Sequence, residues 1–153
     1  MSQEVAPIFT GGCQCGQVRY RIDGTPIEPI AVCFCRMCQK AMGNVLGVFA
    51  PFKVSDVSWT KVSPQRFQSS SASYRLFCSN CGTPLAWMSI EETQIEMTVG
   101  TFDCPEKVKP EKLIGIESRI SWTHSISNLP AMNTVDDNPI SKDFINYQHP
   151  DHD

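Results

Sequence analysis

Seven of the eight cysteines in this chain fall in three tight clusters, and that spacing constrains the fold more than any other feature. Cys13 and Cys15 form C-x-C, Cys33, Cys35 and Cys38 form C-x-C-x-x-C, and Cys78 and Cys81 form C-x-x-C; Cys104 stands alone. Disulfide partners need Cα atoms about 4.4–6.8 Å apart with converging Cβ vectors, which favours partners distant in sequence. Thiols two and three residues apart instead turn inward on one ion. The opening MSQEVAPIFT has no Lys or Arg and no long apolar core, so no secretory leader is predicted. The expected compartment is the reducing cytoplasm, where thiols stay free. Zinc is the expected metal, because thiolate-rich tetrahedral sites are its usual structural form.

The rest of the composition narrows the class. The chain has 153 residues and a formal charge of −3, with 41% hydrophobic and 19% charged residues, as in ordinary globular domains. A mildly acidic chain without a basic run offers no electrostatic footprint for nucleic acid. The longest apolar stretch, residues 45–52, is far short of the roughly 20 residues that span a membrane. Short β-leaning runs at 17–23, 30–33, 45–50, 74–77, 85–88, 95–99 and 113–116 are separated by Gly and Pro, which predicts an all-β sandwich. A short helix is expected at 36–42, and a further turn after Cys104 with Pro105 at its first position. Residues 69–73 (SSSAS) read as an exposed loop. From 131 onward periodicity is lost. Residues 1–132 are therefore expected to form the zinc-binding domain, and 133–153 an extension with a partly disordered end.

The clusters divide by ligand number. Cys13, Cys15, Cys78 and Cys81 can pool into one closed four-thiolate site, with Gly11, Gly12 and Gly16 freeing the first turn and Gly82 supplying a positive φ in the second. Four thiolates fill a tetrahedron and leave a structural ion. Cys33, Cys35 and Cys38 supply only three thiolates, which leaves one position open, as in catalytic zinc. Such a soft, electron-rich ion suits the binding of another thiol for addition to a carbonyl. If Cys104 joined the three, both sites would be closed and the chain would be a zinc-stabilised interaction module. If it did not, Cys104 would pack as a small hydrophobe.

Four longer motifs stand in order: G-G-C-x-C-G-x-V-R-Y at 11–20, C-x-C-x-x-C-x-K at 33–40, R-x-F-C-x-x-C-G-T-x-L at 75–85 and V-G-T-F-D at 99–103. Together they resemble the glutathione-dependent formaldehyde-activating enzyme family, which also includes centromere protein V domains. S-R-x-x-W at 118–122 and L-P at 129–130 resemble its C-terminal signature, so the likeness runs over about residues 9–132. The resemblance implies a mainly β zinc fold, the β-tent, built from short antiparallel sheets with few short helices. It implies two zinc ions per chain: a structural one on Cys13, Cys15, Cys78 and Cys81, and a catalytic one on Cys33, Cys35 and Cys38. The implied activity is that of a carbon–sulfur lyase acting on the adduct of glutathione and formaldehyde. Two departures stand out: Phe34 where the family commonly has histidine, and Cys104 where it often has an acid. Arg36 and Lys40 flank the middle cluster and are the first candidates to hold the carboxylates of a glutathione-like thiol; Arg19, Arg21, Arg75 and Arg119 are alternatives. Trp59, Trp87, Trp122, Phe49, Phe52 and Phe77 are expected in the core. His124 is read as a structural histidine, His149 and His152 as solvent-exposed, and Asp103 as a loop-orienting residue.

Overall fold

Ten short strands arranged in two sheets account for most of the regular structure in a computed structural model that describes residues 6–152. The smaller sheet is antiparallel, with β1 (Ile8–Gly12), β2 (Arg19–Asp23) and β5 (Val57–Trp59) in spatial order. The larger sheet contains β3 (Ala31–Cys33), β4 (Gly47–Lys53), β6 (Gln65–Ser70), β7 (Ser73–Phe77), β8 (Pro84–Ser89), β9 (Gln94–Thr98) and β10 (Lys112–Ile114). Its order is β10-β3-β4-β9-β8-β7-β6. The expected mainly β fold with two sheets and few short helices is present. One pairing departs from the all-antiparallel expectation: β10 runs parallel to β3.

The helix α1 (Arg36–Met42) has the predicted bounds. Gly43 closes it in the left-handed conformation. The predicted turn after Cys104 is a 3₁₀ turn, Pro105–Lys107. Residues 69–73 are not a free loop. They form the β6–β7 hairpin connection, where Ser73 is buried and its hydroxyl lies 2.8 Å from that of Ser70. Strand β4 continues three residues beyond the predicted stop, through Pro51. It can do so because β3 pairs only with residues 47–49, so no neighbour needs the missing Pro51 N–H on that side.

The two faces of the larger sheet carry different cargo. One packs against the smaller sheet through Ala50, Phe52, Leu76, Met88, Ile95 and Met97. Phe9, Tyr20, Phe52 and Phe102 meet there edge to face or tilted, with centroids 5.7–6.4 Å apart. Phe52 and Trp59 join this core as expected, whereas Trp122 is 57% exposed on the 3₁₀ segment Ser121–Asn128. The opposite face carries Cys33 and Phe49, which α1 partly covers. After a second short helix, α2 (Thr134–Asp137), the chain returns to the first cysteine turn, where the His149 N–H donates to the Gln14 carbonyl (2.7 Å).

Arg19, named above as an alternative partner for the carboxylates of a thiol, is instead buried and paired with Asp103. Its guanidinium donates to both carboxylate oxygens, at 2.9 and 2.6 Å, with the two side chains 2% and 7% exposed. The Thr10 hydroxyl donates to the same carboxylate at 2.6 Å. The pair fastens β1 and β2 to the segment after β9. Burial alone would raise the Asp103 carboxyl, but the Arg19 fork and the Thr10 hydroxyl hold it below the usual range. Replacing Asp103 by Asn strands a buried guanidinium, at an expected cost of about 3–5 kcal/mol in the unfolding free energy. The carboxylate contributes its stability above the ordinary Asp range and loses it as pH falls from about 5 towards 3. The unfolding free energy from denaturant titration should therefore fall more steeply with falling pH over that window in wild type than in Asp103→Asn. Parallel pH profiles would contradict this role.

Candidate metal centre

The turn after β1 and the turn between β7 and β8 bring Cys13, Cys15, Cys78 and Cys81 together, with all four sulfurs within 4.8 Å of one another. Cys13 and Cys15 Sγ lie 3.5 Å apart, and Cys15 and Cys78 Sγ 3.8 Å. A tetrahedral zinc at 2.3 Å from each sulfur would set them about 3.8 Å apart, so the donor set fits that ion. Gly82 follows the last ligand with φ +77°, as its position after C-x-x-C predicts. Outer donors surround the sulfurs: the Val18 N–H reaches Cys13 at 3.2 Å and the Asn80 amide reaches Cys15 at 3.3 Å. The Thr83 hydroxyl is 3.1 Å from Cys81. Such contacts orient ligands and stabilise thiolates.

The second cluster is built at the junction of β3 and α1. Cys33 ends the strand, Cys35 caps the helix, and Cys38 lies in its first turn, where its own N–H donates to Cys35 Sγ (3.4 Å). All three sulfurs lie within 4.8 Å of one another. The Phe34 N–H donates to the Ile114 carbonyl, continuing the β10 pairing. Gly115 follows in the left-handed conformation, and a Cβ there would overlap the Cys35 backbone. Gln39 is buried, and its amide donates to the Phe34 (2.7 Å) and Ser118 (3.0 Å) carbonyls, tying the 114–118 segment to the helix. Nothing in the sequence marks Gln39 or Gly115 for these roles.

Proton affinities within each cluster are split. Burial pushes the Cys13 and Cys33 thiols each up to about 12, and also raises Cys38. Burial is outweighed at Cys81, where hydrogen bonds from Thr83 and the Cys15 backbone hold the thiol down at about 6. It is outweighed at Cys35 too, by the Cys38 N–H, while the Asn80 amide draws Cys15 down. Sulfurs this close repel as anions unless a cation lies between them. Both clusters could hold a metal ion, and zinc is consistent with each.

Cys104 is exposed and belongs to neither cluster; it lies among Ile8, Phe9, Thr10, Phe102 and Lys107. The middle cluster thus has three sulfurs, with no histidine or carboxylate joining it among the described residues. A mostly apolar cavity of about 570 Å³ adjoins it, between α1 and the β6–β7–β8 side of the sheet. Arg75 lines this cavity and donates from Nη2 to Cys38 Sγ (3.4 Å). Glu96 shares the Arg75 face through the cross-strand row Arg75–Trp87–Glu96, and burial raises its carboxyl. Of the predicted cations, Lys40 borders the cavity, while Arg36 donates to Gln39 Oε1 (3.2 Å) beside a separate groove. Arg119 lies over the Phe34 ring at 4.7 Å and bonds to Thr123; Arg21 is paired with Asp23.

The sequence model of the family described as glutathione-dependent formaldehyde-activating enzyme (GFA) matches residues 8–118, well over half of the chain. The chain belongs to this GFA family. The match covers both cysteine clusters and stops short of 119–132, which resembles the family's C-terminal signature. A solved structure of a Rhodobacter sphaeroides protein is similar over 68% of this chain and 98% of its own, at 17% identity and a TM-score of 0.54. That likeness concerns the fold. No curated protein matches the chain. Among the described residues no helix is long and apolar enough to cross a membrane.

The two clusters should respond differently to loss of one ligand. The four-sulfur cluster joins distant turns, and closed zinc sites can contribute about 10 kcal/mol to folding. Cys81→Ser should therefore lose about one zinc equivalent and the cooperative unfolding transition. Cys35→Ser should lose the other equivalent yet keep the wild-type far-UV spectrum. Equal unfolding of both variants would contradict the assignment.

Proposed function

We propose that this GFA-family chain is a carbon–sulfur lyase-type zinc enzyme, and that it joins a glutathione-like thiol to a small aldehyde. With formaldehyde the product is S-hydroxymethylglutathione. The observation that carries this reading is a three-thiol cluster with no fourth protein ligand among the described residues, bonded through Cys38 to an arginine that lines a cavity. A zinc ion on Cys33, Cys35 and Cys38 would supply acidity for an incoming thiol and hold it as the nucleophile.

The chain's own residues account for the rest. The β3–α1 junction fixes three donors on one rigid corner, braced by Gln39 and Gly115. The Arg75 guanidinium, bonded to Cys38, faces the cavity as a fixed positive charge where a carbonyl oxygen would become negative. Lys40 on the cavity wall and Arg36 beside the neighbouring groove are the proposed partners for thiol-borne carboxylates. In the reaction a sulfur–carbon bond forms, the carbonyl π pair moves to oxygen, and oxygen takes the proton the thiol gave up. No oxidant is consumed. Free thiols are kept so in a reducing cytoplasm, which is the proposed compartment.

Calorimetric titration with glutathione tests this. The zinc-loaded protein should bind it at least about tenfold more tightly than zinc-stripped protein, since the thiolate loses its cation on stripping. Equal affinity in the two states would remove the thiol-binding role from the Cys33–Cys35–Cys38 centre.

A further inference from the structure

Two depressions flank helix α1, and their chemistry differs. The groove of about 530 Å³ on one side is bordered by Arg36, Gln39, Lys40 and Asn44 together with Val45 and Ile120, so two cations stand over a mixed lining. The cavity of about 570 Å³ shares Lys40 with that groove but is otherwise walled mostly by apolar side chains, among them Met37, Phe49, Phe67 and Phe77. A tripeptide thiol with two carboxylates matches the first. Its amide groups would lose their hydrogen bonds among the rings of the second.

The cavity has polar atoms at only a few places, as ligand pockets with an apolar body do. Arg75 Nε and Thr98 Oγ1 are buried, and neither has a hydrogen-bond partner. Both residues line this cavity, and Arg75 is the one that contacts Cys38. Phe67, opposite Arg75 on the neighbouring strand and 63% exposed, stands at the outer end. The layout is one guanidinium bonded to the sulfur cluster at Cys38 and a mostly apolar wall around it. Formaldehyde, with no apolar body, would leave that wall uncovered.

We propose that the carbonyl partner of this enzyme is an aldehyde with an aromatic or branched-alkyl body, seated in the cavity with its oxygen towards Arg75 and Thr98. This rests on the carbon–sulfur reading above, and gives its aldehyde a class. The thiol sulfur adds to the carbonyl carbon, and the carbonyl oxygen, accepting from Arg75, becomes the hydroxyl of a thiohemiacetal with the proton lost by the thiol.

The test separates cavity from chemistry. 4-Fluorobenzyl alcohol, an unreactive analogue of 4-fluorobenzaldehyde, is titrated by ¹⁹F NMR into zinc-loaded and zinc-stripped protein. Saturable binding in both states is expected. It should weaken by about tenfold in Phe67→Asp and in Met37→Asp, two substitutions at exposed positions that set a carboxylate at the mouth. With glutathione as thiol, the zinc-loaded enzyme should favour 4-fluorobenzaldehyde over formaldehyde in kcat/KM, and that ratio should fall in Phe67→Asp. Absence of saturable alcohol binding, binding indifferent to both substitutions, or a preference for formaldehyde that Phe67→Asp leaves unchanged would overturn the proposal. Alcohol binding that both substitutions weaken, together with no thiol addition to either aldehyde, would keep the cavity's ligand class and overturn the carbon–sulfur reading.

Discussion

Four sulfurs converging from two distant turns are the constraint on which the structure depends. Cys13 and Cys15 follow the first strand of the smaller sheet, while Cys78 and Cys81 lie between two strands of the larger one. One ion between them would fix how the sheets meet, where the aromatic cluster of Phe9, Tyr20, Phe52 and Phe102 provides the apolar contact. Arg19 and Asp103 make a second tie at the same junction. Anions held this closely are stable only around a cation, so uptake of an ion here would be coupled to folding.

The larger sheet then has a face to spare. Its alternation sends Ala50, Leu76 and Met97 into the main core and Phe49, Arg75 and Phe77 to the other side. That second face, roofed in part by α1, places the three-thiol corner beside an apolar cavity. The parallel β10–β3 pairing matters here, because it delivers Gly115 and the Ser118 carbonyl to the corner. A structural division between the faces thus becomes a chemical one.

Much of this was legible in the sequence, for identifiable reasons. Cysteine spacing is local, so the clusters and the helix after the second one could be read directly, and Gly82 marked its own left-handed turn. Strand β6 could not: Gln65–Ser70 lies at a sheet edge with mostly exposed residues and lacks the alternation that reveals a half-buried strand. Strand β1 was hidden by its glycines, and β4 seemed to end at Pro51 because the short reach of β3 cannot be known beforehand. Arg19 resembled any other surface cation until its partner 84 residues away was in place. Pairings at that separation carry no local signal, and the contact of Arg75 with Cys38 is of the same kind.

The central claim is that one metal is enclosed by the chain and the other keeps a coordination position for a visitor. Zinc-edge X-ray absorption on the fully loaded protein measures this most directly. The account predicts two zinc ions per chain, one bound by four sulfurs and one by three sulfurs and a lighter atom, averaging about 3.5 sulfurs per zinc, with the lighter atom replaced by sulfur when glutathione is added. Two four-sulfur sites before any thiol is added, or a single zinc per chain, would contradict it.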